Sequence, residues 1–169
     1  MRNLVLFLGL FLLVACKQSN KSIGDAVLIP IHTQIPLYQK INGSIIDYTM
    51  NDTIREVYPF IGIYKIKGSF AKVEISEFEG EEYIQKAGWI ETKYLGTNLN
   101  NYSGITPIMS EPDQQSTVVF EVINTQWGDY YRIMDAYDGW LKIENIYNPQ
   151  EKGWLAPKYQ CNNPYTTCN

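Results

Sequence analysis

Few side chains in this 169-residue chain have the capacity for acid–base or nucleophilic work. The single histidine, His32, stands in Ile29-Pro30-Ile31-His32-Thr33, a stretch that reads as the entry to a first strand. A hydrolytic triad would need a hydroxyl and a carboxylate assembled around that one ring. A lone histidine in a strand is more often a surface or core residue than a base, so no catalytic residue and no enzyme are expected. Glu77, Glu79, Glu81 and Glu82 form an acidic run that reads as a solvated loop. It lacks the alternating Asp/Asn ligands and the glycine of a calcium loop. Paired carboxylates cleave glycosides only at defined separations, which a loop does not fix. There is no glycine-rich phosphate loop, so neither a metal nor a cofactor is expected. What remains is aromatic. Trp127, beside Gly128 in an expected loop, together with Tyr130, Tyr137 and Tyr147, are the candidate ligand-binding residues. Tyr130 and Tyr131 must point to opposite faces of a strand, so at most one of them joins a core. Trp89, Trp140 and Trp154 are expected in the core.

Strands must position these rings. Thirteen tyrosines and four tryptophans favour β-structure and half-wet contact surfaces. No stretch after residue 25 holds a 3.6-residue period for more than about two turns. Short apolar runs punctuated by Gly, Asn, Asp and Pro make the chain all-β. Two of its segments echo each other. Phe70-Ala71-Lys72-Val73 is followed, after a polar interval, by Gly88-Trp89-Ile90-Glu91-Thr92-Lys93-Tyr94. Trp140-Leu141-Lys142-Ile143 is followed in the same way by Gly153-Trp154-Leu155-Ala156-Pro157-Lys158-Tyr159. Pro36-Leu37 and Pro107-Ile108 open the two copies. Agreement of an ordered set, and not of one dipeptide, indicates duplication. Between the copies, residues 96–104 have the composition of a linker.

The second copy resembles the bacterial SH3-like domain family through Asp138-Gly139-Trp140-Leu141-Lys142-Ile143 and Gly153-Trp154-Leu155 to Tyr159. The first copy is similar through Gly88-Trp89-Ile90 and Tyr94-Leu95, with Phe70 in place of the earlier tryptophan. The opening signature of that family is missing from both. The resemblance implies two small SH3-like barrels in tandem, at 26–97 and 105–161, with a C-terminal tail at 162–169.

The N-terminus carries a different signal. Arg2 precedes an apolar run from Leu4 to Ala15, too short to span a bilayer as a helix and suited to a signal peptide at 1–15. Leu13-Val14-Ala15-Cys16 resembles the lipobox of bacterial lipoproteins, which implies diacylglyceryl and acyl chains on Cys16. Residues 16–25 then form the lipidated cysteine and a polar tether. Lys17, where some lipoproteins carry an inner-membrane-retaining Asp, points by the same resemblance to the outer membrane. With Cys16 lipidated outside the cytoplasm, Cys161 and Cys168 are the remaining thiols and are expected to pair.

Removal of residues 1–15 takes away Arg2 and no acid, leaving 13 basic and 18 acidic side chains and a net charge of about −5. That balance argues against a nucleic-acid partner, which needs a clustered positive surface. The expected function is a non-enzymatic binding module of the cell envelope, with the membrane as one partner through the lipid. Peptidoglycan peptide or an envelope protein would be the other. The alternative is an inhibitor or immunity lipoprotein that blocks a toxin or cell-wall hydrolase, for which an acidic surface would complement a basic enzyme.

Overall fold

The structure is a computed structural model that describes residues 21–100, 104–123 and 130–162. The expected signal peptide, Cys16, residues 17–20 of the expected tether, Trp127 and Cys168 lie outside the described residues.

The fold is all-β. Alternation of apolar and polar residues builds thirteen strands among the described residues, and every pairing is antiparallel. They are β1 (Gly24–Leu28), β2 (Ile35–Tyr38), β3 (Ile45–Thr49), β4 (Phe60–Lys67), β5 (Phe70–Glu79), β6 (Glu82–Glu91) and β7 (Leu95–Leu99). Then follow β8 (Ile105–Met109), β9 (Val118–Ile123), β10 (Tyr131–Tyr137), β11 (Trp140–Asn145), β12 (Lys152–Leu155) and β13 (Gln160–Cys161). They form one open sheet in the order β3-β2-β6-β5-β4-β1-β7-β10-β11-β12-β8-β9, with β13 paired to β7.

That order is one pattern written twice. Strands β3-β2-β6-β5-β4-β1 have their counterparts in β9-β8-β12-β11-β10-β7, and the registers agree as well as the order. A bulge falls between Ile63 and Lys65 on β4, and its equivalent falls between Ile133 and Asp135 on β10. Another falls between Leu37 and Tyr38, matched between Ile108 and Met109. Tyr38 pairs with Trp89, and Met109 with Trp154. One-turn 3-10 helices occupy Thr92–Tyr94 and Pro157–Tyr159, inside the two Gly-Trp segments. The backbone N–H after each opening strand donates to the tyrosine of that turn: Ile29 to Tyr94 at 2.9 Å, Asn100 to Tyr159 at 2.7 Å.

Strand β7 has two roles. It closes the first half by pairing with β1, and it opens the second by pairing with β10 and β13. The linker expected from Gly96 onward is therefore strand as far as Leu99, and the boundary expected at residue 97 falls inside it. Leu95, Thr97 and Leu99 are buried, because β7 is covered from both halves. The core is accordingly one cluster. Ile61, Ile63, Val73 and Ile75 from the first half and Ile133, Leu141 and Ile143 from the second meet Leu28, Leu95 and Leu99. Each of these side chains contributes roughly 1.5–3 kcal/mol when fully buried.

Local chemistry explains the sharp points. Asp138-Gly139, with φ of 46° and 83°, gives the two left-handed residues that a tight hairpin between β10 and β11 requires. The glycine of each Gly-Trp pair is set by steric closeness. A Cβ on Gly153 would stand 2.8 Å from the Met109 carbonyl oxygen, and one on Gly88 would stand 3.1 Å from that of Tyr38.

Three expectations are corrected. His32 does not enter a strand; it follows β1 in a turn with φ of 56°. The acidic run is not a loop throughout: Glu77 and Glu79 lie on β5 and Glu82 on β6, while Glu81 and Glu82 at the hairpin tip are exposed as expected. Glu77 is buried and paired with Lys86 at 2.5 Å. Among the expected core tryptophans Trp154 is buried, whereas Trp89 and Trp140 are half-exposed. Among the described residues no helix is long and apolar enough to cross a membrane.

Gly153→Ala should lower stability by about 1–3 kcal/mol through overpacking against β8. Urea denaturation should show it as a shifted midpoint with an unchanged slope.

Candidate functional site

The half-exposed Trp140 marks a groove. Strand β11 begins at Trp140 directly after the hairpin turn, so the indole leaves the core at the sheet margin. Met109 and Pro107 from β8, Val118 from β9, and Lys158 and Tyr159 from the 3-10 turn complete a cleft of about 200 Å³ around it. Gln160 fixes the turn below by donating from Nε2 to the Gly139 carbonyl at 2.6 Å. Lys158 lies with Nζ 4.7 Å from the Tyr159 ring centre, a cation–π contact that holds the ring in place. An apolar floor with a tryptophan, a tyrosine and a lysine at the rim suits an extended peptide, whose side chains fill the cleft while its backbone stays wet.

The first half carries the same positions with different contents. By register, Pro36, Tyr38, Ile45 and Phe70 correspond to Pro107, Met109, Val118 and Trp140. The Tyr38 ring stands edge-on to Phe70 at 5.8 Å between centres, so a ring of the protein itself lies where the second half has the flexible Met109.

Of the aromatic residues expected to bind ligand, Trp127 lies outside the described residues. Tyr137 and Tyr147 are 64% and 81% exposed, at the end of β10 and in the turn after β11. Tyr130 is half-buried, and that burial raises its phenol pKa against a smaller lowering by the Asn98 side chain. Its neighbour Tyr131 is in the core, as strand alternation requires. None of these three tyrosines lines the Trp140 groove. Sequence reasoning passed over Trp140 because an aromatic residue in an alternating strand is equally suited to the core. Its place directly after a two-residue turn was the available signal that it sits at a margin.

His32 has a structural partner. Its Nδ1 lies 3.0 Å from Asp52 Oδ1, while Arg55 Nε donates to Asp52 Oδ2 at 2.6 Å. The backbone N–H of Ile54 and that of Arg55 also donate to Asp52, at 2.9 Å and 3.3 Å. A carboxylate surrounded by donors works as a staple of the loop between β3 and β4. Among the described residues no group of three or more His, Cys, Asp or Glu side chains is placed to hold a metal ion.

No protein-family model matches the sequence, and no curated protein is significantly similar to it.

Asp52 titrates at about 2, below its ordinary 3.8, chiefly through the hydrogen bond from Arg55. A carboxyl depressed by folding contributes stability that is complete above its unfolded value and is lost as pH falls through the folded one. The melting temperature of the protein should therefore fall from about pH 4 to pH 2, and its gap to Asp52→Asn should shrink over the same window. A gap that stays constant between those pH values would assign the acid sensitivity elsewhere.

Proposed function

We propose that this chain is a cell-envelope lipoprotein whose mature part is a non-enzymatic binding module. Two SH3-like barrels in tandem, joined through β7, present the Trp140 groove to an extended peptide. Peptidoglycan peptide or a segment of an envelope protein is the ligand. The observation that carries this reading is the groove itself, apolar at its floor and rimmed by Trp140, Tyr159 and Lys158. The recurring strand order and the 3-10 turn before each closing strand support the SH3-like part of the reading.

The anchor is the Cys16 lipid, and the membrane is the first partner. Each acyl CH₂ taken out of water contributes roughly 0.8 kcal/mol, and two or more chains hold firmly. Cys161 and Cys168 form a disulfide that ties the tail back to β13. The deep burial of Cys161 on β13 supports this placement, and a loop this short is stabilised by about 2.5 kcal/mol.

Capture experiments test the groove. The mature protein should retain its ligand from purified cell wall or from an envelope extract, and Trp140→Ala should weaken that retention roughly thirtyfold, the effect of losing a central aromatic anchor worth about 2 kcal/mol. Phe70→Ala, at the equivalent position of the first half, should leave it unchanged. Equal retention by wild type and Trp140→Ala would remove the groove from the account. Cys16→Ser should move the protein from the membrane to the soluble fraction, and persistence in the membrane would rule out the lipid anchor.

A further inference from the structure

The two halves differ at one row of the sheet in a way that defines a second site. In the second half, Gly96, Arg132 and Glu144 lie side by side across β7, β10 and β11. There Arg132 Nη1 stands 3.4 Å from Glu144 Oε2, so the carboxylate has a guanidinium of the protein itself. In the first half the same row is Asp25, Gly62 and Glu74 across β1, β4 and β5. Glycine stands where the arginine stood, and a second carboxylate stands where the glycine stood.

The Gly62 position, where the other half has its arginine, opens on a cleft of about 680 Å³ lined by residues of both halves. Gly62, Tyr64 and Ser22 line it from the first half, and Gly139, Pro157 and Gln160 from the second. Asp25 and Glu74 are two strand spacings apart, about 10 Å between backbones, and both side chains point outward. Each is held by a neutral donor: Ser22 Oγ to Asp25 Oδ1 at 3.1 Å, and Tyr64 Oη to Glu74 Oε2 at 2.8 Å. Neither has a cationic partner among the described residues, and Lys21, exposed at the rim, is paired with neither. Glu74, through that hydrogen bond, and to a lesser extent Asp25, through its charge, raise the Tyr64 phenol above its ordinary pKa.

We propose that this cleft binds the guanidinium of an arginine side chain presented by a polypeptide partner, in the place that Arg132 fills in the other half. A planar guanidinium lies between the two carboxylates and against the Tyr64 ring, which stands 3.4 Å from the point where a Gly62 Cβ would be. Charge-assisted hydrogen bonds to carboxylate and stacking on an aromatic face are both properties of arginine more than of lysine. The cleft shares a wall with the Trp140 groove, at Gly139–Trp140 and Ala156–Lys158, yet the inference does not rest on that groove.

The probe is N-acetyl-arginine methylamide, titrated into the full mature protein while the Gly62 amide and Tyr64 ring signals are followed by NMR. Saturable shifts are expected, with the neutral isostere N-acetyl-citrulline methylamide at least tenfold weaker. Gly62→Arg fills the cleft with the residue of the other half. Its Cβ meets ordinary contacts at 3.4–3.9 Å, so the variant should fold and lose the arginine shifts. The isosteric double variant Asp25→Asn with Glu74→Gln should weaken binding at least tenfold, while Trp140→Ala should leave it intact. Equal binding of citrulline, unchanged binding by Gly62→Arg, or absence of saturable shifts in the wild type would each overturn the proposal. Tight binding of the lysine analogue at the same signals would overturn the choice of guanidinium over ammonium.

Discussion

Five residues of β7 hold both halves of the molecule together. Every buried backbone N–H and C=O needs a partner, and β7 finds its partners on three strands. Leu95 and Gly96 pair with β1, Gly96 and Thr97 with β10, and Asn98 and Leu99 with β13. Because the strand faces both halves, its alternate side chains have no solvent side to choose, and four of its five residues are buried. A small β-domain of about 60 residues buries only about 60% of its unfolded surface and is marginal alone. Sharing one strand lets the two halves bury their apolar faces in a single core instead of two thin ones.

That arrangement explains what was legible in the sequence and what was not. The Gly-Trp strands follow from period-two alternation, and the structure has them where the pattern puts them. The linker reading failed at β7 because Gly96, Thr97 and Asn98 look like loop residues. Their composition has another cause. A Cβ at Gly96 would stand 2.7 Å from the Ile29 side chain and 3.1 Å from the Tyr131 carbonyl oxygen, and Thr97 Oγ1 donates to Asn162 Oδ1 at 2.7 Å. Polar and small residues are thus required by close approach and by tertiary hydrogen bonds, and these have no signature in a window of neighbours. Glu77 failed for a similar reason. Its partners Lys86 and Thr49 come from other strands, so a local acidic run concealed one buried, compensated charge.

Two halves built on one strand order need not carry the same side chains. At the groove position the second half keeps Trp140 beside Met109, while the first half has Phe70 under the ring of Tyr38. At the central row the second half closes itself with Arg132 on Glu144, and the first half is left with Gly62 between two acids. Each half is therefore open where the other is filled. Both openings flank the segments 139–140 and 156–158, so the apolar groove and the acidic cleft lie on either side of the same ridge. No sequence window shows this complementarity. It emerges only when the registers of the two halves are laid over each other.

The shared strand is tested most directly by native-state hydrogen exchange in Leu99→Ala. Leu99 pairs with β13, on the side of β7 that belongs to the second half. Truncating a fully buried leucine removes about 2–5 kcal/mol. If β7 makes the molecule one cooperative unit, the amides of Ile63 and Val73 should lose as much protection as those of Ile133 and Ile143. Full wild-type protection in the first half, with loss confined to the second, would contradict it.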